Sequence, residues 1–349
     1  TNGKLYALTL SKRGTMTEGG GTQDSPGGDR TVSPAPLPRP LEGLSRDEMK
    51  RKRAIGRVGT AVLHSLTSRF LGHGFDWLLP VVFSPSTDPL WPDPGASIEK
   101  RIEVEIYERT VRATLSMIIH KMVACSLAYP KLFILSPNVR VERRERGTTG
   151  VHTYEFTQLD FEVRDATVRD IQIQVEDVFR GLLEDLRGTR GEELEVLGRL
   201  ADLRAPSGPF RVIDRMGLEE EYGEDWEAGL SAGLREPAWV VNIPREFYDF
   251  EELDTGVWDN YDLFLPGMGE ILSGARREWE HGKIVHKMER DGVDPSNYAL
   301  LLTLAKAGRL KPSAGAGIGL ERLIGWIVGA RHIGEVQAFP KVPGTVYDL

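Results

Sequence analysis

The chain has 349 residues, which is enough for one large domain or two ordinary ones. With 52 acidic and 44 basic side chains, its formal net charge is −8, which argues against a protein whose main task is to hold nucleic acid. The sequence has no apolar run of about 18 residues, so it predicts no membrane span. The single cysteine, Cys125, excludes an intramolecular disulfide and suits a reducing compartment such as the cytoplasm.

The N-terminal stretch is rich in glycine, proline, serine and threonine, which predicts a disordered tail over residues 1–44. Ordered structure is predicted from Ser45 onward, because Ser45 and Glu48 have the spacing of a helix capping box. The helix that follows carries apolar side chains at helical spacing. Residues 75–80 then predict a strand that stops at a proline, and one folded domain is expected over residues 45–349.

The next segment, residues 84–95, contains four prolines and predicts a rigid loop. Residues 111–124 predict a strand that runs into an apolar helix, on which Lys121 stands. An unpaired buried ammonium is costly, so Lys121 is either a functional cation or a surface lysine whose stem lies along apolar side chains. The neighbouring His120 is more typical of a satisfied helix histidine than of a catalytic one.

Residues 131–163 predict two apolar strands on either side of a loop rich in arginine, glycine and threonine. Arg140, Arg143, Arg144 and Arg146 fall within seven residues of this loop. Arginine presents a planar fork that binds phosphate oxygens bidentately, which makes the loop a candidate phosphate site. An exposed hairpin with solvated charge has the same pattern.

The middle of the chain predicts sheet and covering helices that carry no chemistry of their own. The predicted elements are an amphipathic helix around 168–186, a short helix around 192–200, a strand and an acidic helix within 211–226, and a buried strand at 239–243.

Two further stretches contain candidate ligand-binding residues. Residues 260–278 include Glu270 and Ser273, whose carboxylate and hydroxyl oxygens are ligands that Mg²⁺ prefers, although an exposed turn has the same composition. Residues 314–325 read AGAGIGLERLIG, where glycines let the backbone of a turn pass close to a ligand and a helix is predicted to begin near Leu320.

Taken together, the arginine-rich hairpin and the glycine-rich turn resemble motifs 2 and 3 of class II aminoacyl-tRNA synthetases, in the aspartyl/asparaginyl branch. The pattern that carries the resemblance is RVE…H-x-x-EFTQLD followed by GIGLERL…FPK-x-PG. The first helix and strand resemble motif 1, which builds the dimer interface in that family. Over about residues 45–349 the resemblance implies an α+β fold, with an antiparallel sheet flanked by helices, in a homodimer.

The resemblance also implies an ATP site with Mg²⁺. Arg140 would neutralise the α-phosphate as charge develops during carboxylate attack, Arg322 would hold the γ-phosphate, and Phe156 would stack on adenine. Mg²⁺ would bind to Glu270 and Ser273. The ATP-binding residues implied in this way are Arg140, Glu142, His152, Phe156, Glu270, Ser273, Gly319 and Arg322.

The aspartate-binding residues implied by the resemblance are Ser116, Lys121, Asp262 and Arg277. Lys121 aligns with a lysine that reads the substrate side chain in aspartyl enzymes, where asparaginyl enzymes carry an acidic residue. Arg277 would clamp the same carboxylate. The sequence departs from the family pattern at Ile118, His120 and Arg276, where the family has glutamine, tyrosine and glutamine.

The aspartyl and asparaginyl enzymes carry an anticodon-binding barrel before the catalytic domain, and residues 1–44 have no room for one. The resemblance therefore extends to archaeal-type asparagine synthetases, which implies that ATP activates aspartate and that ammonia converts the aspartyl adenylate to asparagine, AMP and pyrophosphate. tRNA binding is then not expected. Two alternatives stay open, namely transfer of the adenylate to another amine or to a tRNA acceptor end, and a catalytically inactive regulatory paralogue.

Overall fold

The structure is a computed structural model, and it describes residues 34–90 and 98–348. Most of the predicted tail, residues 1–33, lies outside the described residues, as does the tip of the predicted rigid loop, residues 91–97. Within the described ranges, no helix combines the length and the apolar composition that a bilayer crossing requires.

The last eleven residues of the predicted tail, 34–44, belong to the same structural unit as the rest of the described chain. The Ala35 amide donates to the Thr148 carbonyl at 2.9 Å, and the Tyr347 hydroxyl donates to the Pro38 carbonyl at 2.7 Å. Residues of the predicted tail therefore contact the folded part of the chain. The polar, proline-rich composition of this segment predicted disorder. It gives no sign of these contacts, because the segment makes them through its backbone groups.

The helices described in these ranges surround a central sheet. They are α1 (Arg46–Gly72), α2 (Ile118–Leu127), α3 (Val168–Thr189), α4 (Gly191–Val196), α5 (Arg215–Tyr222), α6 (Trp226–Gly233), α7 (His281–Asp291), α8 (Ala299–Lys306) and α9 (Leu320–Val328).

Outside the central sheet, the strands of the described residues form two two-stranded sheets and one three-stranded sheet. In chain order, the strands are β1 (Asp76–Leu78), β2 (Phe83–Ser84), β3 (Ile98–Lys100), β4 (Glu103–Ile106), β5 (Arg109–Ala113), β6 (Lys131–Val139), β7 (Val141–Glu142), β8 (Glu155–Arg164), β9 (Arg211–Asp214), β10 (Ala238–Val241), β11 (Glu251–Glu252), β12 (Val257–Trp258), β13 (Asn260–Leu265), β14 (Gly269–Arg276) and β15 (Ser313–Gly319).

The central sheet has eight strands in the order β1-β6-β8-β15-β14-β13-β10-β9. The six strands from β6 to β10 in this order pair antiparallel, and β1 and β9 each add a parallel strand at one edge. The predicted α+β architecture with an antiparallel sheet flanked by helices is therefore confirmed, with one parallel pair at each edge.

The glycine-rich stretch is a central strand, β15, and not the predicted turn. It lies between β8 and β14, and a Cβ atom built on Gly315 would lie 2.2 Å from the Phe161 carbonyl oxygen. Glycine is needed here because neighbouring backbone comes too close for any side chain. The predicted helix does begin directly after this strand, at Leu320.

The first helix, α1, begins at the predicted capping box. The Ser45 hydroxyl accepts from the Glu48 amide at 3.3 Å, and the Glu48 carboxylate accepts from the Ser45 amide at 2.8 Å. Its apolar stripe ends at the fully buried Phe70, whose ring centroid lies 5.1 Å from that of Phe161 on β8. This packing fixes α1 against one face of the sheet and leaves the opposite face of β8 for other contacts.

Exposed apolar side chains form a patch in the sequence from the last turn of α1 through the edge strand β1 to β2. Leu79 is 90% exposed, and Leu71, Trp77 and Phe83 are also exposed. Exposed apolar side chains in a continuous stretch of chain are typical of an interaction surface. Because the resemblance places a dimer interface at this element, we infer that the patch mediates the predicted homodimer.

We expect light scattering to give about twice the chain mass of 38.9 kDa for the wild type. Leu79→Asp would bury a charge in the interface and should convert the dimer to a monomer. Leu300→Asp on α8 is a matched control, since Leu300 is also exposed and lies on another element. A monomeric wild type, or equal effects of both variants, would contradict this assignment.

Candidate active site

Two adjoining cavities lie over the central strands β8, β14 and β15. We call them the loop cavity, of about 110 Å³, and the ionic cavity, of about 160 Å³. Arg140, Gln158, Glu270 and Gly317 line both. A ligand that fills both cavities would therefore contact these four residues at the junction.

The loop cavity contains seven of the eight residues predicted to bind ATP. They are Arg140, Glu142, His152, Phe156, Glu270, Gly319 and Arg322. The eighth, Ser273, lines the ionic cavity instead, together with the predicted substrate residues Ser116, Lys121 and Arg277.

Arg140 is held in place by the backbone and by an aromatic ring. Its Nε and Nη2 atoms donate to the Leu115 carbonyl at 3.1 and 3.0 Å, and its guanidinium carbon lies 5.2 Å from the Phe156 ring centroid. These contacts orient a positive group toward the junction of the two cavities and leave it without an ion pair in the described residues.

Arg322 lies in the first turn of α9 and reaches back to the sheet. Its Nη1 donates to the Glu270 carbonyl at 2.7 Å, and its Nε donates to the Val151 carbonyl at 3.1 Å. The preceding Glu321 carboxylate accepts from the Thr157 amide at 2.9 and 3.0 Å, which ties the start of α9 to β8. The contacts to Glu270 on β14 and to Val151 before β8 therefore hold the Arg322 side chain at the cavity wall.

His152 lies among three arginines in the loop cavity. Burial, followed by Arg322, Arg146 and Arg140, lowers the pKa of His152 to about 3. The imidazole is therefore neutral at physiological pH and offers a hydrogen bond and no positive charge. Glu142 lies 2.9 Å from Arg146, and burial raises the pKa of the Glu142 carboxyl despite this partner.

A β-bulge on β14 decides which side chains point into the site. Asp262 pairs with Ser273 and Phe264 pairs with Glu270, so Ile271 is an extra residue opposite the partner strand. In a regular strand, residues three apart face opposite sides, but the bulge turns Glu270 and Ser273 to the same side. Both then line the ionic cavity.

The predicted substrate lysine is buried in the ionic cavity and is already paired. Lys121 Nζ lies 3.0 Å from Asp160 Oδ1, 2.9 Å from the Ala316 carbonyl and 3.9 Å from Glu162 Oε2. Lys121 is thus not a surface lysine, which settles the alternative in favour of a buried cation. Its charge is already paired with Asp160 on β8.

Arg277 has two carboxylate partners of its own. Its Nε lies 3.2 Å from Glu162 Oε1, its Nη1 pairs with Asp249, and its Nη2 donates to the Gly315 carbonyl at 3.0 Å. These charges raise the pKa of Arg277 against the opposing effect of burial, so the guanidinium stays charged. Glu162 is completely buried and lies between the two cations.

One predicted substrate residue, Asp262, does not line either cavity. It is buried behind the wall and pairs with Arg245, which does line the ionic cavity. Burial raises the pKa of Asp262 to about 7, although Arg245 lowers it. Arg245 therefore takes the position at the wall of the ionic cavity, with Asp262 directly behind it.

The sequence reasoning missed most of the acidic side chains of the ionic cavity. They are Asp88, Asp160, Glu246 and Asp249, with Glu162 directly behind. A signal for two of them was available, because β8 alternates between apolar and acidic residues from Leu159 to Val163. Alternation in a strand buried on both faces indicates that one face carries polar function.

Residues 103–343 match the sequence profile of the family described as tRNA synthetases class II (D, K and N). The asparagine–tRNA ligase of Thermococcus gammatolerans is 29% identical over 236 residues, which cover 62% of this chain and 54% of that protein. The aspartate–tRNA(Asp/Asn) ligase of Methanopyrus kandleri is 28% identical over 252 residues, which cover 68% of this chain and 57% of that protein.

Among solved structures, the Pyrococcus horikoshii asparaginyl-tRNA synthetase complexed with asparaginyl-adenylate aligns with a TM-score of 0.75 at 23% identity. The alignment covers 89% of this chain and 76% of that one, and it shows that the fold is shared. The chain spans only about half the length of the curated relatives it matches.

The buried neutral His152 predicts an acid-sensitive fold. An unfolded histidine titrates near 6.5 and the folded one near 3, so the unfolded state binds more protons between these values. Stability should be complete above about pH 6.5 and should fall as the pH drops toward 3, by about 2 kcal/mol at about pH 5 from this group.

Between about pH 7 and pH 5, we expect the free energy of unfolding of His152→Gln to fall by about 2 kcal/mol less than that of the wild type. Urea unfolding at the two pH values measures this difference. His64→Gln is the matched control, because His64 lies exposed on α1. An unchanged pH dependence in His152→Gln would show that the folded histidine titrates normally.

Proposed function

The chain belongs to the class II tRNA synthetases of the aspartate, lysine and asparagine group, and we propose that it uses ATP to activate aspartate as an aspartyl adenylate. Pyrophosphate is released in this step. The adenylate then passes its aspartyl group to a nucleophile.

The observation that carries the proposal is the junction of two cavities at one arginine. The loop cavity has the side chains for a nucleotide, and the ionic cavity has those for a charged amino acid. A carboxylate held in the ionic cavity would attack an α-phosphate at Arg140, where negative charge develops. Placing both reactants at one charged group is the main requirement of adenylate formation.

Nucleotide binding fits the side chains of the loop cavity. The Phe156 ring, with Arg140 over it, offers a surface on which an adenine base can stack. Arg322 provides a fixed guanidinium for the outer phosphates, and the start of α9 lies beside it. Gly319, directly before this helix, lines the same cavity.

The cavity suits a magnesium ion that protein oxygens and the phosphates of the nucleotide would bind together. No cluster of three or more acidic, histidine or cysteine side chains in the described residues could hold a metal by itself. Glu270 and Ser273 instead provide two oxygens on one side of β14. Mg²⁺ is commonly bound through one or two protein oxygens plus substrate phosphates, whose charge it offsets when bound.

The selection of aspartate rests on the hydrogen-bond donors that remain on two cations. Lys121 uses two of its three N–H donors for Asp160 and Ala316, and one is left for a ligand oxygen. Arg277 lines the same cavity and keeps its charge. A side-chain carboxylate accepts from both, whereas the amide nitrogen of asparagine brings donors to groups that only donate.

Two acceptors for the aspartyl group are consistent with this site. The curated relatives are named as tRNA ligases, which supports the 3′ end of a tRNA and does not support the expectation that tRNA is not a partner. Ammonia is the second candidate, and the net charge of −8 favours it, since tRNA binding requires a basic surface. Labelled aspartate recovered on tRNA or as free asparagine would distinguish them.

Arg140→Ala should lower aspartate-dependent exchange of pyrophosphate into ATP by about a hundredfold or more, because it removes the donors at the α-phosphate. Arg144→Ala is the matched control, since its side chain is 78% exposed on the same loop. Near-normal exchange by a folded Arg140→Ala variant would refute the assignment of the junction.

The wild type should support pyrophosphate exchange with aspartate better than with asparagine, by about a hundredfold in kcat/KM. The reason is that charge-assisted hydrogen bonds to Lys121 and Arg277 contribute about 1.5–3 kcal/mol each. Lys121→Met should reduce this preference, with the exposed Lys306→Met as control.

Because removing Lys121 leaves Asp160 and Glu162 without their cation, the variant's melting temperature must be measured beside its kinetics. The wild-type comparison of the two amino acids decides the question even if that variant does not fold. Equal kcat/KM values for aspartate and asparagine would exclude a carboxylate-selecting pocket.

A further inference from the structure

The arginine-rich loop joins β7 to β8 and forms one wall of the loop cavity through Val151, His152 and Thr153. Its outer part, residues 143–149, contains a short 3-10 helix, Arg144–Thr148, and Gly147 is the one buried residue in that part. A segment with so few buried groups gains little from apolar packing. Its position therefore depends on a small number of hydrogen bonds.

One of these hydrogen bonds comes from His332, which lies just after α9. The His332 ring is fully buried, and its Nε2 lies 3.0 Å from the Gly147 carbonyl oxygen. Its Nδ1 lies 2.9 Å from the amide nitrogen of Gly334, and an amide N–H can only donate. Nδ1 is therefore the acceptor and carries no proton, so the ring is neutral and donates its Nε2 proton to the loop.

The surroundings of His332 favour this neutral form. Burial lowers the pKa of His332, against the opposite effects of the Gly147 carbonyl and of Glu335. Both ring nitrogens then have a partner, with the arginine-rich loop on one side and the turn Ile333–Glu335 on the other. The ring is a bridge between these two segments of the chain.

Two further contacts dock the loop at the same place. The Ile333 amide donates to the Gly150 carbonyl at 2.8 Å, and Ile333 itself lines the loop cavity. A Cβ atom built on Gly147 would lie 2.4 Å from the Pro343 carbonyl oxygen, so backbone lies against backbone there. The loop thus meets its neighbours mainly through main-chain groups, and His332 supplies a side-chain bond at its buried point.

The docked part of the loop is connected to side chains of the cavity wall. The Thr149 hydroxyl donates to the Arg146 carbonyl at 2.8 Å and lies 2.7 Å from His152 Nδ1, which is then the donor to Thr149. His152 Nε2 is left to accept from Arg146 Nη1 at 3.3 Å, and the same Nη1 donates to Glu142 at 2.9 Å. A shift of the short helix would therefore move His152 and Glu142.

We propose that His332 is a positioning residue, which holds the arginine-rich loop through Gly147 in the geometry that binds the nucleotide. This inference rests on the proposed use of ATP in the loop cavity. His332 does not line that cavity and would act without touching the ligand. Because Arg322 lies at the start of α9 and His332 follows its end, the ring also connects the loop to the helix that would hold the outer phosphates.

Two substitutions separate the two hydrogen bonds of the ring. Asparagine places its side-chain oxygen near the position of Nδ1, so His332→Asn keeps an acceptor for the Gly334 amide and loses the donor to Gly147. Glutamine places its side-chain nitrogen near the position of Nε2, so His332→Gln keeps the donor to Gly147.

We expect His332→Asn to raise the KM for ATP in aspartate-dependent pyrophosphate exchange by about tenfold, because the Gly147 carbonyl loses its partner and the loop must be ordered on binding. The KM for aspartate and kcat should change by less than about threefold. His332→Gln should restore most of the affinity for ATP. His286→Asn is the control, since His286 is exposed on α7.

Limited proteolysis with trypsin gives a readout that does not depend on catalysis, because Arg143 and Arg144 are exposed in the loop. Cleavage after these residues, identified from fragment masses, should be several-fold faster in His332→Asn than in the wild type. ATP should slow this cleavage.

Equal KM values for ATP and equal cleavage in His332→Asn and the wild type would overturn the proposal. A KM for ATP raised by about tenfold in folded His332→Gln would also overturn it, whether or not His332→Asn folds, because that variant keeps the bond to Gly147. A wild type that neither binds ATP nor exchanges pyrophosphate would instead refute the proposed function. Faster loop cleavage in His332→Asn would then still show that His332 holds the loop.

Discussion

The site depends on one buried carboxylate, Glu162, which lies between Lys121 and Arg277. Its own donors are Arg277 at 3.2 Å and the Ser313 hydroxyl at 2.8 Å, and it has no exposed surface. Charges this deep are costly to desolvate, and only close geometry with satisfied hydrogen bonds repays the cost. The arrangement therefore contributes less to stability than to position, since it holds two cations from distant parts of the chain at one cavity wall.

The strand that carries Glu162 also connects the core to the site. Along β8, Leu159 and Phe161 belong to the apolar core against α1, and Asp160, which lies between them, faces α2 and the cavity. A strand places successive side chains on opposite faces, so a shift of one residue would exchange these two sets. Packing of Phe70 against Phe161 thus fixes the register that aims Asp160 at Lys121.

Much of this could be predicted from the sequence, and the remainder has a physical reason. Local patterns predicted α1, its cap, the arginine loop and the helix at Leu320, because these signals lie within a few residues. The residues that oppose Lys121 and Arg277 come from other strands, so local patterns carry no sign of them. Local patterns also carry no sign of the bulge at Ile271, because the pairing of β14 with β13 defines it.

The pattern of charge in the ionic cavity limits which ligands can enter it. Lys121 and Arg277 already have carboxylate partners, so a ligand carboxylate competes with Asp160, Glu162 and Asp249 instead of meeting bare cations. Each new negative charge must therefore be balanced by a positive group that arrives with it or after it. A site of this kind favours zwitterionic and cationic ligands in combination, and it disfavours an anion that binds alone. For the ligands proposed above, each one that binds would change the net charge that the next one meets.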